Sequence, residues 1–90
     1  MANDDIFTAD RNFAPVEANS VELQDGTFTL VAKSPNPIEV IKSDTAPGID
    51  AVGTLALGEK LDSFKYRIAG AERLFVRSVR GPIDIGVITA

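Results

Sequence analysis

The side chains able to do chemistry in this chain are 13 carboxylates and nine cations, with no histidine and no cysteine in 90 residues. Histidine is the commonest general base and transition-metal ligand, so its absence removes most acid–base and zinc or haem designs. Without cysteine there is no disulfide, no thiolate nucleophile and no thiolate metal site. Carboxylate pairs are the acid–base apparatus that remains. Asp4 and Asp5 are adjacent near the N-terminus, and Asp44 and Asp50 flank Pro47-Gly48. Calcium favours oxygen ligands on loops, but the second pair fits no known calcium-loop spacing, and aspartate is common in such stretches as a turn former. A glycosidase needs two carboxylates across a sugar-sized cleft, which a thin domain of this length rarely provides.

Two further patterns bear on ligands. Residues 53–60, Gly-Thr-Leu-Ala-Leu-Gly-Glu-Lys, begin like a phosphate loop. The pattern requires Lys and then Ser or Thr after the second glycine. Glu59 stands there instead and would repel phosphate, so a short strand between glycine turns is the better account. The second pattern is basic: Lys65, Arg67, Arg73, Arg77 and Arg80 fall close together. Arg73, Phe75 and Arg77 share one face of an alternating strand. Arginine and aromatic side chains are enriched at interface hot spots, so this strip is a candidate protein interface. A solvated face and a single-stranded nucleic-acid grip are the alternatives. The second is disfavoured because Phe75 alone is available for stacking and the net charge is −4.

The elements that must position these residues read as strands. Residues 20–23 and 27–33 flank Gln24-Asp25-Gly26, and Asp-Gly supplies the positive φ angles of a tight hairpin. Ser34-Pro35-Asn36-Pro37 ends the second of these, since proline cannot donate to a ladder. Residues 38–42 form the next strand, with Ile38 and Val40 opposite Glu39 and Ile41. Residues 43–53 form the longest irregular connection, suited to crossing between sheets or making contacts. A short apolar strand over 54–57 follows, then strands over 61–68, 74–79 and 83–89. On the first of these Phe64, Tyr66 and Ile68 share a face. About seven short strands with turn residues between them favour a sandwich over βαβ units. The expected fold is therefore all-β: a small antiparallel β-sandwich over 20–90, with an extended N-terminal arm over 1–19. The arm has neither helix nor strand period, yet it holds Ile6, Phe7 and Phe13, and ordinary disordered tails are poor in such residues. Either it folds back across its own sheet and closes the core, or Ile6, Phe7 and Phe13 anchor it on a neighbouring subunit.

One domain of this size buries only about two thirds of its unfolded surface and gains from oligomerisation or docking. Residues 1–50 carry a formal charge of −6 and residues 51–90 a charge of +2. The acidic half could face a basic surface and the basic strands an acidic one, including a second copy of the chain. The overall acidity argues against nucleic-acid binding as the main task. No stretch approaches the roughly 18 apolar residues of a membrane span. The start, Met-Ala-Asn-Asp-Asp, has no apolar signal-peptide core, so synthesis in a cytoplasm without export is expected.

The run from Leu61 to Ala90, and within it Gly-Ala-Glu-Arg-Leu-Phe-Val-Arg-Ser at 70–78, resembles the closing strands of small virion proteins of tailed bacteriophages. Capsid decoration, or cement, proteins are the most similar. A strand with alternating arginines, a glycine turn and a last short apolar strand carry the likeness, which extends loosely to 27–43. The resemblance implies a non-enzymatic structural protein on the capsid surface of a virion. It implies the major capsid protein and further copies of itself, as a trimer or dimer, for partners. No catalytic residue, cofactor, nucleic acid or membrane is implied. Ile6, Phe7 and Phe13 would be arm anchors, and Arg73, Phe75 and Arg77 an interface strip. A tail or head–tail joining protein, or a small adaptor domain, is the alternative.

Overall fold

The computed structural model describes residues 3–18, 21–56, 58–59 and 61–89, and among these the architecture is all-β. Ten strands are present: β1 (Asn3–Ala9), β2 (Ala14–Pro15), β3 (Glu17–Ala18), β4 (Val21–Glu22), β5 (Gly26–Ala32), β6 (Ile38–Ser43), β7 (Thr54–Ala56), β8 (Ser63–Ile68), β9 (Arg73–Ser78) and β10 (Ile83–Thr89). One four-stranded sheet has the order β1-β10-β5-β8 and the other β2-β9-β6-β7, with β3 and β4 as a separate pair. Every pairing is antiparallel. The two large sheets make a small β-sandwich. We call them the first and second sheet.

Alternation builds the core, as a period of two places successive side chains on opposite faces. Leu30 on β5, Ile85 and Val87 on β10 and Ile68 on β8 come from the first sheet, and Ile38 on β6 with Leu74 and Val76 on β9 from the second. All seven are buried, and each contributes about 1.5–3 kcal/mol through apolar burial. Phe64 and Tyr66 lie in register with Leu30 and Phe28, so β8 turns the expected face inward. Ser78 is buried with them, and its hydroxyl bonds the Gly81 carbonyl and accepts from the Arg80 and Gly81 amides, closing the turn into β10.

The three strands beyond the expected seven all come from the N-terminal segment. It is extended, and it pairs within its own chain. Residues 3–9 match 83–89 one for one along β10, Ala14 and Pro15 pair with Val76 and Phe75, and the Ser78 amide donates to the Asp10 carbonyl. Phe7 packs against the core and Ala9 is wholly buried. The described part of the segment expected as an arm thus adds strands to both sheets. The segment crosses from an edge of one sheet to an edge of the other.

Other expectations are corrected. The hairpin across Gln24-Asp25-Gly26 does not form: β4 pairs with β3, and β5 pairs with β10 and β8. Central strands with two long partners gain more ladder than a short hairpin offers. The strand over 20–23 shrinks to β4, Ser20 lying outside the described residues, and the one over 54–57 is β7, Leu57 lying outside them too. Residues 43–53 do not cross between sheets, since β6 and β7 are neighbours. The last three strands alternate between the sheets. β8 and β10 belong to the first sheet and β9 to the second, so the chain changes sheet at each turn.

Candidate interaction surface

The strongest local arrangement lies on the solvent side of the second sheet. Register places Glu39 directly opposite Arg77, and Leu55 opposite Glu39. The Arg77 fork meets the Glu39 carboxylate along two edges, Nε to Oε1 and Nη2 to Oε2, both at 3.2 Å. Each side chain is only 17% exposed. A planar guanidinium matches a carboxylate in this bidentate way, which lysine cannot do. Arg77 also donates Nη1–H to the Ile49 carbonyl at 2.8 Å and Nη2–H to the Ala51 carbonyl at 2.9 Å. Its guanidinium carbon sits 4.4 Å from the centre of the Phe13 ring, a cation–π contact.

Glu39 completes the clamp by accepting the Gly53 amide at 3.0 Å. Gly53 lies so close to β6 that a β-carbon there would fall 2.8 Å from the Val40 carbonyl oxygen and 3.0 Å from its nitrogen. The loop over 44–53 is thus fastened to the sheet at three backbone groups, those of Ile49, Ala51 and Gly53.

The clamp holds apolar side chains out into solvent. Val52 is 86% exposed, Ile49 76%, and Leu55 on the neighbouring edge strand 65%. Large exposed apolar side chains on an ordered loop and the edge strand after it are candidates for a contact surface. Beyond Leu55, a shallow groove of about 350 Å³ runs between the edges β7 and β8. It is lined by Pro37, Leu55, Ala56, Gly58, Asp62 and Phe64. This ledge of Ile49, Val52 and Leu55 was not among the sequence candidates. Its signal is the presence of two large apolar residues in a stretch otherwise made of turn formers.

The six sequence candidates are placed as follows. Ile6 stands in solvent on β1, 59% exposed, and Phe7 is turned toward the core. Phe13, Arg73, Phe75 and Arg77 do come together on the solvent side of the second sheet, but their groups are engaged within the chain. Phe75 is 7% exposed, with Pro15 and Ile41 as its register neighbours. Arg73 pairs with Glu22 at 3.5 Å and donates to the Gly70 and Glu72 carbonyls. Arg77 and Phe13 build the clamp. Of the strip, Arg77 supports the loop from beneath, while Arg73 is tied to Glu22 and the turn before β9.

Asp44 and Asp50 are exposed, and the side chains of Asp4 and Asp5 lie outside the described residues. Among the described residues no three acidic side chains converge as a metal site would require. Of the false phosphate loop, the described part is β7 and the turn after it, with Leu57 and Lys60 outside the description. Tyr66, the one tyrosine, is partly buried, and burial raises its pKa above the ordinary value by penalising the phenolate. No family model, curated protein or solved structure matches the chain.

Proposed function

We propose that the chain is a non-enzymatic structural protein of a tailed-phage virion, a capsid decoration protein that assembles with copies of itself on the shell and stabilises it. The observation that carries this reading is the preorganised apolar ledge. Ile49 and Val52 project from a loop whose backbone is already held by Arg77 and Glu39, and Leu55 from the edge strand β7 that follows it. A loop ordered before binding loses little conformational entropy on contact, so more of its burial appears as affinity. The resemblance of residues 61–90 to closing strands of decoration proteins supports the same reading. The mechanism is mass action: a protein that binds the assembled shell and not free coat subunits shifts the equilibrium toward the shell.

Cosedimentation with assembled tailed-phage shells, set against the same coat protein as free subunits, tests the proposal. Binding to shells alone, lost in Ile49→Asp/Val52→Asp, is the expected result. A stable monomer that ignores both forms overturns it, and binding to tails in place of heads moves the protein to the tail.

A further inference from the structure

We propose that copies of this chain join head to tail through their first sheets, β8 of one copy pairing with β1 of the next. The sheet order is β1-β10-β5-β8, and its two outer strands each have one strand partner among the described residues. Four strands in strict antiparallel alternation leave the two edges running in opposite directions. A second copy brought up beside β8 in the same orientation therefore presents its β1 antiparallel, continuing the alternation into an eight-stranded sheet. The described lengths match, seven residues in β1 and six in β8.

Charge selects this pairing over the symmetric ones. β1 contains Asp4 and Asp5 and no cation, and β10 beside it contains Asp84. β5 contains no charge, while β8 contains Lys65 and Arg67, both exposed, and no acid. Formal charge thus runs from negative to positive across the sheet. Pairing β1 with β1, or β8 with β8, sets like charges together, which destabilises a cross-strand contact. Pairing β8 with β1 brings the outward-facing position of Asp4, in register with Ile88, beside the strand that carries Lys65 and Arg67 on its outward face, whereas the position of Asp5, in register with buried Val87, belongs to the inward face and takes no part. Ile6, exposed on β1, would gain cover from the aliphatic stem of Lys65 on the adjoining strand. Such a contact is heterologous, so repetition closes a ring or continues as a row. The opposing account is that Lys65 and Arg67 guard a bare edge against any strand addition.

The inference deepens the reading above and rests on it for the expectation of self-assembly. Sedimentation velocity over a concentration series at low salt tests it, with the wild type, Lys65→Glu/Arg67→Glu and Asp4→Lys, each checked for folding by circular dichroism. The wild type is expected to self-associate and to do so less as salt rises. Each charge-reversed variant alone should associate at least about tenfold more weakly. An equimolar mixture of the two should recover assembly, because each then offers the other an opposite edge. A wild type that stays monomeric overturns the pairing, as does association unchanged in both variants or a mixture no better than its parts. Shell binding by a chain that never pairs its edges counts against this inference alone. Edge pairing by a chain that ignores shells counts against the decoration reading alone.

Discussion

Replacing Arg77 by methionine keeps an unbranched stem over Phe13 and removes the fork. Four hydrogen bonds go, two to Glu39 and one each to the Ile49 and Ala51 carbonyls. The Glu39 carboxylate, 17% exposed, is left with the Gly53 amide as its remaining donor among the described residues. Breaking a fully buried ion pair by deleting one partner costs about 3–5 kcal/mol. The residual exposure here lets water reach the carboxylate, so we expect about 2–4 kcal/mol. At about 4–8 °C per kcal/mol for a domain of this size, the melting temperature should fall by roughly 8–32 °C. Urea unfolding should show a lower midpoint with an unchanged slope. Amide exchange at Ala51 and Gly53 should accelerate beyond the global change. Glu39→Leu should cost a similar amount, and the double variant much less than the sum, because no unpaired charge remains. Arg77→Met within about 0.5 kcal/mol of wild type, or two single costs that simply add, would refute the clamp.

Four other predictions follow from the same geometry. Gly53→Ala forces a β-carbon against the Val40 backbone and should cost about 1–3 kcal/mol in chemical denaturation, while Gly48→Ala, with open space around it, should stay within about 0.5 kcal/mol. Leu61 holds a left-handed φ of 72° while its side chain stands in solvent, so Leu61→Gly should raise stability by about 1 kcal/mol; a lower melting temperature would count against strain at this turn. Because the folded pKa of Tyr66 is raised, the native state holds its proton more tightly than the unfolded chain. Its contribution is complete below about pH 10 and is lost as pH rises through the folded value, so Tyr66→Phe should flatten the alkaline fall in stability, and absorbance at about 295 nm should show the lone phenol ionising late. Deleting residues 1–14 removes β1 and bares β10, and should abolish cooperative unfolding; a deletion variant with an intact sandwich would show that this segment is dispensable to the fold.

Local patterning was enough to read the all-β class, most strand positions and the inward faces, because a period of two is local information. Ile38 and Val40, Leu74 and Val76, and Ile85 and Val87 announce a buried face within a few residues. It also showed that Arg73, Phe75 and Arg77 share a face. Partnership was not legible, as it depends on distant residues. Glu39 is 38 positions from Arg77, and the Ile49 carbonyl 28. Register alone makes those charges meet and turns Arg77 from an outward-facing cation into the support of a loop. The same holds for the N-terminal segment, whose β-period is too faint to read in 1–19. Its strand state comes from the ladder that residues 83–89 offer to residues 3–9. Alternation along the chain selected which side chains are buried, while pairing between strands decided which polar groups are engaged and left Ile49, Val52 and Leu55 facing solvent.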